Sequence, residues 1–417
     1  MMRPREAGVT AAGVTVAGVT EAGVTALPDH VRQRIAEADC IIAASRFHAD
    51  LPDGKEILDW PTPFSNIFNL LDDYSDKSLV LLTTGDPMWF GAGASLVGRL
   101  GRKGCEIVPA VSGLQLAAAH LGWPLAACRI VSVHGRPAGH LHSALYPRAR
   151  LLVIAQDGSS PAILAKALCD WGYGAAQIHV MAHLGGPEEV CFSGTAAGWQ
   201  HDQVPDFHII GIACGTDMPA IGVAAPDDSF RNDGKLTKRD ARASALAKLA
   251  PFPQAVLWDI GSGSGAVSID FLRAAPGATA HAIDRNDDQH VMAIENANHH
   301  GVAGFNTVTA DLASDPQAVC AALPDPDAVF IGGGMSSAVI ELAQARLRAG
   351  GVLVAHAVTI ESESLLVSAW QSTGGDLMRL SVQHADPVGG FHGWRPLMPV
   401  TQWVWHKPPQ QQHQGGA

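Results

Sequence analysis

Charge is scarce in this 417-residue chain: Asp, Glu, Lys and Arg make up 16 % of it, against about 25 % in ordinary soluble domains. Apolar residues reach 47 %, which excludes an intrinsically disordered chain, since disorder needs high charge and little hydrophobicity. Cations are scarcer still, 28 Lys and Arg against 40 Asp and Glu, a net charge of −12. Binding to nucleic acid or an anionic membrane needs clustered cations, so neither partner is expected. No run of about 18 apolar residues is present, which excludes a transmembrane helix. No apolar stretch follows Met1 to Glu6, so no signal peptide is expected. The seven cysteines (Cys40, Cys105, Cys128, Cys169, Cys191, Cys214, Cys320) are scattered and never form Cys-x-x-Cys. They read as reduced thiols of a cytoplasmic protein, with no zinc module.

What is present is punctuation. Forty-four glycines and 26 prolines, without a collagen period, imply many short turns, and the length suggests two or three domains. Near the start Ala-Gly-Val-Thr recurs four times at five-residue spacing (7–10, 12–15, 17–20, 22–25), too short a period for a solenoid. The first two units read as a disordered tail, with residues 1–13 set outside the first domain. The later units read as a strand and Gly turn before a helix over 29–39. Apolar runs at 40–44, 78–83, 106–108, 130–133, 151–155, 177–181 and 208–213 alternate with helical stretches, which predicts parallel sheets covered on both faces. A Gly-, Pro- and Asp-rich stretch at 214–235 reads as a linker, giving domains over 14–222 and 223–408 and a frayed tail over 409–417.

The strongest motif lies in the second half. Val256-Leu257-Trp258-Asp259-Ile260 is a strand running into Gly261-Ser262-Gly263-Ser264-Gly265, with a helix predicted over 266–274. Glycines there let main chain approach a ligand, and the helix start supplies free N–H groups. Asp284 ends the next strand, placed to accept both hydrogen bonds of a ribose diol. The dinucleotide fingerprint is Gly-x-Gly-x-x-Gly, whereas this loop is Gly-x-Gly-x-Gly with Asp259 beside it. A carboxylate there repels a pyrophosphate and welcomes the sulfonium and ammonium of S-adenosyl-L-methionine. This favours a methyltransferase.

With that loop, Leu236-Thr237-Lys238-Arg239-Asp240-Ala241-Arg242, Phe330-Ile331-Gly332-Gly333-Gly334, Ala357-Val358-Thr359-Ile360-Glu361-Ser362-Glu363 and Pro399-Val400-Thr401-Gln402-Trp403 make five ordered motifs. Over 230–408 they resemble the C-terminal, CbiT-like half of the decarboxylating precorrin-6Y C5,15-methyltransferases (CobL type). Over 14–222, Thr84-Gly85-Asp86-Pro87, Pro109-Ala110-Val111-Ser112-Gly113, Ser132-Val133-His134-Gly135-Arg136 and Leu184-Gly185-Gly186-Pro187-Glu188-Glu189 resemble the CbiE-like half, a tetrapyrrole methylase of two α/β lobes. The resemblance implies a class III methyltransferase fold followed by a Rossmann-like class I domain. It also implies two S-adenosyl-L-methionine sites, with Gly85, Asp86 and Pro87 lining the first.

Two departures stand out. Thr20 occupies the place of a second family glycine, and Thr resists positive φ, so that loop is expected to differ. His356 stands where the family pattern has Asn.

The implied substrate is precorrin-6Y (precorrin-6B), a tetrapyrrole with many carboxylates, methylated at C5 and C15 and decarboxylated at its C12 acetate to give precorrin-8X. Methyl transfer to an enamine-like carbon asks mainly for positioning and electrostatics. Cations must hold the carboxylates: Lys235, Lys238, Arg239 and Arg242, with Arg231, concentrate near the cofactor domain's entrance. His134, Arg136, Gly333 and Gly334 are further substrate-side candidates, and Asp311 is placed toward an adenine amine. Lys238, Arg239, His356 and Glu361 are the candidates for catalysis. His179 with His183, and His140 with His142, have no clustered carboxylate or Cys nearby in sequence, so no metal is expected. A homo-oligomer is expected. The competing classes are a cobalt-precorrin methyltransferase, an NAD-dependent oxidoreductase using Asp284 on the ribose, and a non-catalytic corrinoid carrier.

Overall fold

The computed structural model describes residues 13–219, 222–312 and 320–409; the first repeat unit and the two expected tails lie almost wholly outside the described residues. Two compact units are present. One comprises residues up to Gly135 together with Pro147–Met218, and the other combines Arg136–Tyr146 with Pro219 onward.

The first lobe of the first unit is a parallel sheet of β1 (Val14–Val19), β2 (Cys40–Ile42), β3 (Glu56–Leu58), β4 (Leu79–Thr84) and β5 (Cys105–Val108) in the order β3-β2-β4-β1-β5. Strand alternation sends Ile41, Val80 and Leu82 to one face, against Val31 and Ile35 of α1 (Asp29–Glu37). Cys40, Ile42, Leu79 and Leu81 face the other way, onto Ile67 and Leu71 of α2 (Ile67–Asp73) and Leu96 of α3 (Gly93–Leu100). Both faces are covered, as the apolar runs predict. The strand begins inside the second repeat unit, at Val14, rather than after it, because Val14 finds a parallel partner in Leu79.

The second lobe departs from the parallel expectation. β6 (Arg129–Ser132) and β7 (Arg150–Ile154) run parallel, but β8 (Gln177–Ala182), β9 (Val190–Thr195) and β10 (His208–Ala213) add antiparallel pairs in the order β6-β7-β10-β8-β9. The β8–β9 connection is a short loop with no helix, so an antiparallel turn is the geometry available. α4 (Gly113–Leu121), opened by a Ser112–Gln115 capping box, and α5 (Ser160–Asp170) complete the unit.

The second unit is built on one seven-stranded sheet of β11 (Val256–Ile260), β12 (Thr279–Asp284), β13 (Phe305–Thr309), β14 (Ala328–Ile331), β15 (Val352–Ala357), β16 (Asp376–Leu380) and, after the exposed hairpin β17 (Gln383–Val388) and β18 (Phe391–Pro396), β19 (Val400–His406). The order is β13-β12-β11-β14-β15-β19-β16, with β19 alone reversed and antiparallel to both β15 and β16. α6 (Arg239–Leu249) and α7 (Ala266–Ala274) cover one face through Leu246, Leu249 and Phe271. α9 (Ser337–Arg346) and α10 (Ile360–Thr373) cover the other through Ile340 and Leu366, after α8 (Asp287–His299).

The segment Arg136–Tyr146 belongs with this unit rather than with the first domain, where the sequence reading puts it. His142 Nδ1 lies 2.7 Å from the His300 carbonyl, and a Cβ at Gly139 would come within 2.7 Å of Gly301 Cα. Only two glycines allow the backbones to meet so closely.

Candidate functional sites

The second unit's sheet reverses direction between β11 and β14, which leaves a crevice at their carboxyl ends. A cavity of about 480 Å³ opens there, lined by the 259–264 loop, Asp284, Asp311, Gly332 to Ser336, and Asp233 to Thr237. Gly261, Gly263 and Gly265 have φ of 69°, 52° and 77°, the left-handed region that costs other residues about 1–2 kcal/mol. A Cβ on Gly261 would stand 2.5 Å from the Gly333 nitrogen. The turns after β11 and β14 therefore interlock main chain to main chain, and Gly332 N–H donates to the Ile260 carbonyl at 2.9 Å. α7 begins directly behind the loop, and Ala266 and Val267 at its start line the crevice.

Asp259 is 1 % exposed. Its Oδ2 accepts from Ser268 N–H at 3.1 Å and from Ser268 Oγ–H at 2.7 Å, while Oδ1 is buried with no partner. Burial pushes its carboxyl up to about 6, against the Ser268 hydrogen bonds. Ser262 Oγ is likewise buried without a partner. Asp284 Oδ2 accepts from Gly263 N–H at 2.9 Å and Oδ1 from Asn286 N–H at 3.1 Å. Lys235 at the rim reaches Asp233 at 3.1 Å, and that hydrogen bond holds the Asp233 carboxyl below its usual range. This donor set suits S-adenosyl-L-methionine: an orphaned carboxylate oxygen can meet a cationic group, and the crevice is lined by acids. A pyrophosphate would face Asp259 and Asp284 together.

Other expected residues fall elsewhere. Arg242 is a correction. It is fully buried and ion-paired to Asp270 at 2.6 Å and Asp227 at 3.1 Å, with another hydrogen bond to the Thr237 carbonyl. It cannot meet a substrate carboxylate, because the apolar spacing of α6 turns it inward. Lys238 caps α6 and Arg239 donates to the Ala224 carbonyl at 3.0 Å; both are exposed and neither lines this cavity. His356 is 7 % exposed, 2.8 Å from Gln402 Oε1 across β15–β19 and edge-on to Phe330. Burial pushes its pKa down, and it braces the sheet outside the cavity. Glu361 is exposed in the first turn of α10, away from the cavity. His134 lies 3.3 Å from the Ala155 carbonyl; it and Arg136 are exposed and line neither this cavity nor the cleft of the first unit.

The first unit has its own cleft of about 240 Å³ between its two lobes. Gly85 (φ 71°) and Asp86 line it, and Pro87 is buried behind them. A Cβ on Gly18 would stand 2.1 Å from the Gly85 carbonyl, so glycine at the end of β1 is what lets the loop close over it. Asp86 Oδ1 accepts from Met88 N–H at 2.8 Å. Thr20 lines the cleft without adopting a positive φ, so the departure there imposes no backbone strain. Sequence reasoning missed Glu21 and Arg46, and weighed His183 only as a metal ligand with His179. Arg46 pairs with Glu21 at 2.8 Å and donates to Thr84 Oγ1 at 2.7 Å, and His183 Nδ1 lies 3.4 Å from Glu21 Oε2. The last contact joins residues 162 positions apart, beyond any local pattern. His179 instead meets Ser193 at 2.9 Å, so the two histidines do not converge. Among the described residues, one exposed trio with metal-ligand atoms gathers, His120, Glu189 and Cys191.

Two family models match the chain: tetrapyrrole (corrin/porphyrin) methylases over 25–198 and a precorrin methyltransferase domain over 228–407. Precorrin-6Y C(5,15)-methyltransferase (decarboxylating) of a Sinorhizobium species is 36 % identical over 389 residues, 91 % of this chain and 93 % of the relative. The protein of that name from Mycobacterium tuberculosis is 35 % identical over 383 residues, 90 % of this chain and 95 % of the relative. The chain belongs to the precorrin-6Y C(5,15)-methyltransferase (decarboxylating) family. It is a methyltransferase of two fused halves, a two-lobed tetrapyrrole methylase and a Rossmann-like class I domain. Among solved structures, the C-terminal domain of the Rhodobacter capsulatus precorrin-6Y C5,15-methyltransferase is 37 % identical, covering 45 % of this chain and all of its own, with a TM-score of 0.41. No described helix is long and apolar enough to cross a membrane.

Proposed function

We propose that the chain methylates precorrin-6Y at C5 and C15 and decarboxylates its C12 acetate to give precorrin-8X, using S-adenosyl-L-methionine at two sites. The full-length relatives, named for precorrin-6Y rather than a cobalt-precorrin, support the cobalt-free substrate. The observation that carries the second site is the glycine loop with its orphaned Asp259 oxygen. When bound there, the cofactor supplies an electrophilic methyl group on a cationic sulfur. Asp259 and Asp284 would meet its ammonium and ribose, and Asp311 its adenine. The first site would use Gly85 and Asp86, with Pro87 shaping the turn. Lys235, at the rim of the second cavity, and the exposed Lys238 and Arg239 would meet substrate carboxylates. The protein is proposed to be cytoplasmic and to self-associate. Exposed Val388, Phe391 and Trp394 on the β17–β18 hairpin supply apolar surface for association, which light scattering tests.

Product mass tests the division of labour. Wild type should add two methyl groups and lose CO₂. Gly263→Val should still add one methyl through the first unit, and Asp86→Ala should give a decarboxylated product with one methyl. If either folded variant loses both methyl additions, two independent sites are wrong.

A further inference from the structure

Methylating an enamine CH leaves a proton to dispose of. The ring's π pair forms the new C–C bond, the S–CH₃ bond breaks, and a neutral thioether leaves. The carbon then holds both methyl and hydrogen. Conjugation returns only when its C–H bond breaks, the pair goes back to the ring, and one proton goes to an acceptor. The first unit's cleft contains a group built for this.

His183 follows β8 with φ of 51°, a conformation that is strained for a non-glycine residue and concentrates at functional sites. Its backbone is fixed from both sides: its N–H donates to the Phe207 carbonyl at 3.1 Å, and its carbonyl accepts from Gly186 at 3.0 Å. The ring lines the cleft. Nδ1 faces Glu21 at 3.4 Å, a carboxylate only 10 % exposed and anchored by Arg46 at 2.8 Å. Arg46 is itself held over the rings of Phe47 and Phe207, at 4.4 and 4.7 Å, and bonded to Thr84 beside Gly85. A carboxylate on Nδ1–H fixes the tautomer that leaves Nε2 as the bare acceptor, and among the described residues Nε2 has no hydrogen-bond partner. Of the other titratable groups of the cleft, Asp86 Oδ1 accepts from Met88 N–H, and His208 bonds the Pro205 carbonyl through Nδ1 at 2.7 Å and keeps its unpartnered Nε2 buried, out of reach of a substrate. Glu21 comes from the first lobe and His183 from the second, so the pair exists only with the lobes assembled.

We propose that His183 is the general base that takes the proton released by the first unit's methylation, with Glu21 as its positioning residue. This rests on the reading of that cleft as a methyl-transfer site.

Glycine is relaxed at φ of 51°, so His183→Gly removes the imidazole without forcing the backbone. In a Gly263→Val background, where only the first unit is expected to act, His183→Gly should slow turnover to the deprotonated, methylated product about 100-fold or more, the usual share of general-base catalysis. Added imidazole should restore much of the rate. With deuterium on the reacting carbon the variant should show a primary isotope effect, because C–H cleavage becomes limiting. Unfolding temperature and calorimetric affinity for S-adenosylhomocysteine should stay unchanged. Unaltered methylation, or a loss with neither rescue nor isotope effect, overturns the base. If Gly263→Val alone adds no methyl while wild type adds one, the reading of the first cleft is wrong and the base falls with it.

Discussion

Asp284 Oδ2 accepts the Gly263 N–H at 2.9 Å, so the acid that ends β12 clamps the glycine loop that follows β11. An ionised carboxylate offers about four lone-pair sites, and the two backbone bonds leave room for a ribose diol. Asp284→Ala should therefore loosen the loop and remove a ligand contact together. Affinity for S-adenosylhomocysteine in the second unit should fall by about 1.5–3 kcal/mol, as for lost hydrogen bonds to a charged group. Calorimetry on the full chain, with Asp86→Ala to separate the sites, checks this; unchanged affinity would refute the assignment.

The loop was legible in the sequence because its chemistry is local: strand, three glycines, helix and a following acid all fall within 256–284. The same holds for the helix over 266–274, whose expected and observed limits agree. What escaped is long-range. Arg242 reads as a surface cation until the structure gives it Asp270 as a buried partner. The Glu21–His183 contact and the joining of Arg136–Tyr146 to the second unit depend on tertiary closure. β9, β16, β17 and β18 were missed because exposed or half-exposed strands show weak apolar runs.

Gly261 and Gly263 share a left-handed conformation but not their surroundings. A Cβ at Gly261 meets Gly333 backbone at 2.5 Å, whereas at Gly263 the nearest atom is Gln289 Oε1 at 3.8 Å. Gly263→Ala should cost only the conformational penalty, about 1–2 kcal/mol. Gly261→Ala must also push two turns apart and should cost clearly more. Urea unfolding of the two variants decides; equal losses would mean that the interlock with Gly333 carries no weight.

Arg242 and Asp270 are both fully buried, and Arg273 adds a second cation at 2.6 Å from Asp270. Removing one member strands charge in a low dielectric, which typically costs about 3–5 kcal/mol. Arg242→Met should destabilise by that order, whereas exposed Lys238→Met should change stability by less than about 0.5 kcal/mol. If substrate KM rises in Arg242→Met while unfolding is unaltered, the structural role given to Arg242 is wrong.

Asp259 couples stability to ligand binding. Its carboxyl is raised from 3.8 to about 6 by burial, so between those values the folded state binds the proton that the unfolded state releases. This group's contribution to stability is then most favourable below about pH 4, falls as pH rises to about 6, and is flat above. At about 1.4 kcal/mol per pKa unit the ionised group destabilises the fold by roughly 2–3 kcal/mol at neutral pH. Asp259→Asn retains an oxygen for Ser268 and lacks the charge. It should be more stable than wild type at pH 7.5, with the advantage shrinking toward pH 4. The buried charge is kept, on this argument, for a cationic ligand. Wild-type affinity for S-adenosyl-L-methionine in the second unit should decline as pH drops through 6, while Asp259→Asn should bind weakly at every pH. Calorimetry from pH 5 to 8 distinguishes the cases, and a variant that binds like wild type at pH 7.5 would remove Asp259 from the site.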